Sequence, residues 1–121
     1  MPLPPCPGTP NCVCSDDEGA SHIAPLRLRE EAPAAWEGLV QALTTQTGFT
    51  ITSRGSHEQR VMAKTPILGF IDDLIFQLRP ELGEIAIRSE SRTGYWDLGT
   101  NRRRLETLRR VLSAQGLIDR G

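Results

Sequence analysis

The sequence predicts an α+β fold, a two-layer sandwich in which an antiparallel sheet of about four strands carries two helices on one face. Three observations lead there. Segments of helical periodicity flank a central run of strand-like segments, giving the order α-β-β-β-β-α. The connections between the strand segments are short, which favours antiparallel neighbours. The chain of 121 residues is long enough for one core and too short for two.

Residues 1–30 read as an irregular Cys/Pro-rich arm, ahead of a single α+β domain over residues 31–121. The arm is dense in proline up to Pro10 and holds all three cysteines and the acidic run Asp16-Asp17-Glu18. Such a segment is ordered only when something staples it. Pro33 suits the first turn of a helix, where its missing N–H costs nothing. Trp36, Leu39, Val40 and Leu43 follow at helical spacing, and Gly48 is a left-handed stop. Phe49-Thr50-Ile51-Thr52-Ser53 alternates as a strand does, and a second strand runs from about His57 to Thr65 before Pro66.

Leu74 to Arg79 and Glu84 to Arg92 form the clearest pair, joined through Pro80-Glu81-Leu82-Gly83. That loop predicts a register. Arg79 faces Glu84, Leu78 faces Ile85, Phe76 faces Ile87, Leu74 faces Ser89 and Asp72 faces Ser91. On the opposite face Ile75 meets Arg88, Asp73 meets Glu90 and Ile71 meets Arg92, so Asp73 lies within reach of both arginines. A slip of one residue would bury the arginines, and the apolar pattern excludes it. The last helix runs from about Asn101 to Gln115 with the stripe Leu105, Leu108, Val111 and Leu112, capped by Asp97 or Thr100 and stopped at Gly116-Leu117.

The apolar fraction is 38%, with only two Trp, one Tyr and three Phe, and the net charge is −1. That balance excludes a general nucleic-acid binder. Seven arginines lie between Arg88 and Arg110 against Glu90, Asp97 and Glu106, and Lys64 is the one lysine. The positive charge is therefore mostly guanidinium, suited to bidentate carboxylate or phosphate contacts. No apolar run approaches the roughly 20 residues of a membrane span. The start of the chain has neither the basic nor the apolar segment of a signal peptide. The expectation is a cytoplasmic protein as written, or an envelope or periplasmic one if a leader preceded it.

The passage from Arg88 to Arg104 is far richer in polar groups than a corner requires. Asp72, Asp73, Arg88, Ser89, Ser91, Arg92, Asp97, Asn101 and Arg102 are its candidate ligand-binding residues. Buried hydroxyls beside a carboxylate must be hydrogen-bonded to one another or to a ligand. The amino-terminal end of the last helix, with Arg102 to Arg104 beside it, offers an anion site. A self-satisfied network of aspartates and arginines is the competing structural reading. No catalytic residue is assigned, and the residues leave open whether the chain is an enzyme.

Cys6 and Cys12 enclose five residues, short enough to close as a disulfide, whereas Cys12-Val13-Cys14 is too tight, so one thiol is left over. Cys6, Cys12, Cys14 and His22 are also four ligands of the type zinc takes, though their spacing matches none of the usual zinc frameworks. The leading expectation is a non-catalytic binding or assembly domain, with a small anionic ligand or an acidic protein partner recognised through the Arg/Asp/Asn cluster. The alternative is a thiol-dependent enzyme or a redox or metal protein using these cysteines and His22.

Several motifs occur together in order: Cys6-Pro7-Gly8-Thr9-Pro10-Asn11-Cys12-Val13, His22 with Pro25, and Phe70-Ile71-Asp72-Asp73-Leu74. Arg88-Ser89-Glu90-Ser91-Arg92 follows, with Gly94, Asp97-Leu98-Gly99 and Asn101-Arg102. On these the chain resembles, over nearly its whole length, the family called domain of unknown function 1499. The resemblance implies no activity to transfer. It implies envelope or organelle proteins with leaders for many members, and a serine more often where this chain has Cys14.

Overall fold

Alternation along the chain decides which residues can share a core, and the elements follow it closely. A computed structural model describes residues 2–29, 31–66 and 68–119. The elements are β1 (Cys12–Cys14), β2 (Leu26–Arg27), α1 (Ala32–Thr45), β3 (Phe49–Arg54), β4 (Glu58–Lys64), β5 (Ile71–Arg79), β6 (Glu84–Ser91) and α2 (Thr100–Ala114). Short 3₁₀ turns occupy Gly19–Ser21 and Pro80–Leu82. Pro33 sits in the first turn of α1, and Gly48 and Gly116 take left-handed conformations after the two helices.

All strand pairs are antiparallel, in the order β1-β6-β5-β4-β3, with β2 also on β6. The β5/β6 register is the expected one, from Arg79 opposite Glu84 to Asp72 opposite Ser91. The Arg92 N–H continues it to the Ile71 carbonyl at 3.0 Å. A bulge interrupts the β3/β4 pairing between Ile51 and Ser53.

The sheet has six strands where the sequence predicted about four, and the two extra ones come from the arm. Within the arm, Cys12–Cys14 and Leu26–Arg27 are strands rather than irregular chain. β1 pairs with the far half of β6, Cys12 opposite Glu90 and Cys14 opposite Arg88. β2 pairs with the half next to the turn, Leu26 opposite Ile85. The physical reason is the outer edge of β6, whose unpaired N–H and C=O groups need partners.

Both helices lie on one face and bury the main core between themselves and the sheet. Phe76, Leu74, Ile85 and Ile87 meet Leu39 and Leu43 of α1 and Leu105, Leu108 and Leu112 of α2. Full burial of each such side chain contributes about 1.5–3 kcal/mol. Leu117 closes α2, its N–H reaching the Leu112 carbonyl at 3.1 Å. The end of its side chain lies where a Cβ on Gly38 would be, so any larger residue there would have to push Leu117 aside.

The opposite face is covered by the arm. Leu3, Cys14, Ile75 and Ala86 form a second small cluster, with Cys6 packed against it.

Candidate functional site

β6 carries alternate residues to opposite faces, and this divides the nine expected site residues. Asp72, Ser89, Ser91, Asp97 and Asn101 converge on the helix side. Asp73, Arg88 and Arg92 lie on the arm side, and the sheet stands between the two sets.

Asn101 is the hub of the helix-side set, and like Ser89 it is wholly buried. Its Oδ1 accepts the Ser89 hydroxyl at 2.5 Å. Its Nδ2 lies within donating distance of the Asn11 carbonyl (3.1 Å), Ser91 Oγ (2.9 Å) and Asp97 Oδ2 (2.7 Å). Asp97 in turn accepts the N–H of Gly99 at Oδ1 (2.8 Å) and of Asn101 at Oδ2 (2.9 Å). It thereby performs the capping expected of it, while the Thr100 hydroxyl donates to its carbonyl at 2.7 Å. Burial pushes the Asp97 carboxyl upward, but the Asn101 and Gly99 donors outweigh it and hold the group below its usual value. The amino-terminal end of α2 is thus already occupied by a carboxylate of the chain itself.

On the arm side, Arg88 is buried. Its Nε donates to the Pro4 carbonyl (2.8 Å), and its Nη2 donates to that of Pro5 (3.2 Å) and pairs with Glu90 (2.9 Å). It clamps the arm. Arg92 and Asp73 form an exposed bidentate pair at 2.8 and 2.9 Å, which raises the Arg92 guanidinium's pKa.

Arg102 stands apart from both sets. Its Nη2 donates to the carbonyls of Ala20 (3.0 Å) and His22 (2.9 Å), and its Nε and Nη1 have no partner among the described residues.

Cys6 and Cys12 are joined as a disulfide, with Cα atoms 5.7 Å apart. Cys14 is the leftover thiol, fully buried; burial raises its pKa, and Asp17 and Asp16 add to the effect. The disulfide takes up two of the four expected zinc ligands, and among the described residues no group of three His, Cys, Asp or Glu is arranged to hold a metal ion.

Two residues, Asn11 and Arg109, escaped the sequence reasoning, and Arg104, expected only as part of an anion site, has another partner. Asn11 joins the disulfide loop to the β6–α2 passage, its Nδ2 donating to the Gly94 carbonyl at 2.7 Å. Arg104 pairs with the buried Asp72 through Nη1 and Oδ2 at 2.5 Å. Arg109 donates to the carbonyls of Pro25 (2.8 Å) and Ala24 (2.5 Å) and so ties α2 to the chain before β2. Asn11 had a visible signal in the Pro10-Asn11-Cys12 motif, Arg109 had none beyond its helical phase, and for Arg104 the position was legible but not the Asp72 partner.

Two clefts flank Trp96. One, of about 470 Å³, lies against the disulfide loop and includes Thr9, Ser21, Tyr95 and Arg102 in its lining. The other, of about 360 Å³, lies towards the β4–β5 connection and includes Leu68, Phe70, Asp72, Ser91 and Leu98. Leu68, Phe70, Tyr95, Trp96 and Leu98 are all exposed. Leu98 is in addition left-handed, with φ 57°, the sole non-glycine residue of that kind among the described residues.

No helix among the described residues is long and apolar enough to cross a membrane. No curated protein and no solved structure matches the chain. A sequence model of the family described as protein of unknown function (DUF1499) matches residues 2–112, which takes in the disulfide loop, both clefts and the Asn101 network. On that match, and in agreement with the resemblance read from its motifs, the chain belongs to this family.

Proposed function

We propose that the protein is a non-catalytic binding domain that recognises an anionic group, on an acidic protein partner, beside the amino-terminal end of α2. The observation that carries this reading is Arg102, which lines the 470 Å³ cleft with Tyr95 and Trp96 and keeps Nε and Nη1 without a partner among the described residues. Arg103 next to it has no carboxylate partner there either, donating instead to the Leu98 carbonyl at 2.6 Å. Exposed aromatic rings with an arginine are the side chains that most often dominate protein interfaces. Arg88 drops out of the recognition surface, because its donors hold the arm. Arg92, paired with Asp73, flanks the other side of the sheet.

The network supports binding over catalysis. Ser89, Asp97 and Asn101 spend their hydrogen-bonding capacity on one another, so none of these three is poised as base or nucleophile. The thiol reading draws no support from Cys14, which is buried with a raised pKa, the opposite of a reactive cysteine.

The test is titration with an acetylated Glu-Glu-Phe-Glu-Glu amide and its glutamine analogue, read by tryptophan fluorescence with Trp96→Phe as baseline. The acidic peptide binds, more weakly as salt is raised, and Arg102→Ala lowers affinity about tenfold, the worth of one charge-assisted contact. Equal binding of the glutamine peptide, or an unaffected and folded Arg102→Ala variant, overturns the reading.

A further inference from the structure

We propose that the 360 Å³ cleft is a second, separate binding site, which takes one small neutral apolar molecule carrying a hydroxyl group. Its volume is within the range of about 300–1,000 Å³ usual for small-molecule sites. Its rim is made of Leu68, Phe70, Trp96 and Leu98, large apolar side chains left in water around one depression. Leu98 is held there in a backbone conformation that costs a leucine about 1–2 kcal/mol.

The floor supplies the second observation. Asp72 lines the cleft and is only 2% exposed. Its Oδ2 accepts from Arg104, but its Oδ1 has no hydrogen-bond partner among the described residues. Unlike the sealed Gln59 Oε1, this oxygen opens to the cleft, where a bound donor can reach it. Ser91 faces Asp72 across the β5/β6 register. Its Oγ accepts from Asn101, and its own hydroxyl proton goes to no acceptor among the described residues. The floor therefore offers one acceptor and one donor on register-paired residues, the two functions a hydroxyl group complements.

Charge decides the class. Arg104 already balances the Asp72 carboxylate, so a cation or an anion would bring an uncompensated charge into an apolar cleft. A neutral hydroxyl satisfies Oδ1 without that cost. The site goes beyond the anion reading and does not depend on it; the two clefts have only Trp96 and Asp97 in common.

The experiment is a titration of the isotope-labelled protein, followed by amide chemical shifts, with p-cresol, toluene, 4-methylbenzoate and 4-methylbenzylamine. We expect saturable shifts from p-cresol at Phe70, Thr93, Trp96 and Leu98, with affinity about tenfold above toluene, as one hydrogen bond to a charged group gives. Both ionic analogues bind more weakly than p-cresol. Leu98→Gly, which keeps the left-handed backbone without strain, lowers the affinity for p-cresol and toluene alike at an unchanged denaturation midpoint. Toluene binding as well as p-cresol, either ionic analogue binding more tightly, or no shift at these residues would each overturn the proposal. None of these outcomes bears on the acidic peptide, whose binding is judged by its glutamine analogue and by Arg102→Ala, a residue outside this cleft.

Discussion

The Ser89 hydroxyl and Asn101 Oδ1 meet at 2.5 Å across the interface of β6 and α2, and neither side chain touches solvent. Removing one partner leaves the other buried and unsatisfied. Asn101→Ala also strips the Asn11 carbonyl and Asp97 of a donor. We expect a loss of about 3 kcal/mol or more, at roughly 1–3 kcal/mol for each stranded group. Ser89→Ala should cost less, since it strands only Oδ1. Chemical denaturation of the two variants checks the order.

Acid should destabilise the protein through Asp97 and Asp16. Both carboxyls are held below their usual 3.8, Asp16 first of all by the Arg79 guanidinium. A depressed folded pKa gives stability that is present above the unfolded value and lost as pH falls through the folded one. Stability should therefore fall as pH drops through 3.8 and continue to fall below it. Asp97→Asn should flatten that slope in a series of melting curves at pH 2 to 6.

Arg88 and Arg92, four residues apart on one strand face, should behave differently. Arg88→Ala removes the donors of two part-buried arm carbonyls and of the half-buried Glu90, for about 1–3 kcal/mol. Limited proteolysis should then cut within residues 2–6. Arg92→Ala breaks an exposed pair, and such pairs give no more than about 1 kcal/mol. An equal effect of both would mean that the arm is not clamped at Arg88.

Gln59 is almost wholly buried, and its Oε1 has no hydrogen-bond partner among the described residues. An apolar side chain of similar volume removes that cost. Gln59→Met should raise stability by about 1–3 kcal/mol, visible as a higher denaturation midpoint at unchanged slope.

Reduction of Cys6–Cys12 should cost about 2 kcal/mol for so short a loop. Alkylation of the native, unreduced protein should be slow, and after denaturation one cysteine should be modified, Cys14. Peptide mass mapping distinguishes this from any other pairing.

Much of the fold was legible because strand alternation is a strong signal. The four-residue connection at Pro80–Gly83 and the apolar sequence of Leu74, Phe76 and Leu78 against Ile85 and Ile87 left one register open, and the chain adopts it. The arm was not legible. β1 and β2 are three and two residues long, too short for periodicity, and they form because β6 has an edge to fill. The site was legible as a set of residues but not as an arrangement. The register already put Ser89 and Arg88 on opposite faces, but the partners of Arg88 and Arg102 lie in the arm, whose course no pattern gave. The Asp72–Arg104 pair joins residues 32 apart, so no local pattern announces it.

The bulge at Ile51–Ser53 and the shortness of β1 and β2 have a consequence for how copies of this chain behave when crowded. A sheet grows into fibres where it presents a long, straight rim to its neighbour. One rim here is broken into two stubs, and the other is kinked midway along β3. The protein can therefore leave Leu68, Phe70, Tyr95, Trp96 and Leu98 in water without offering its backbone as a template.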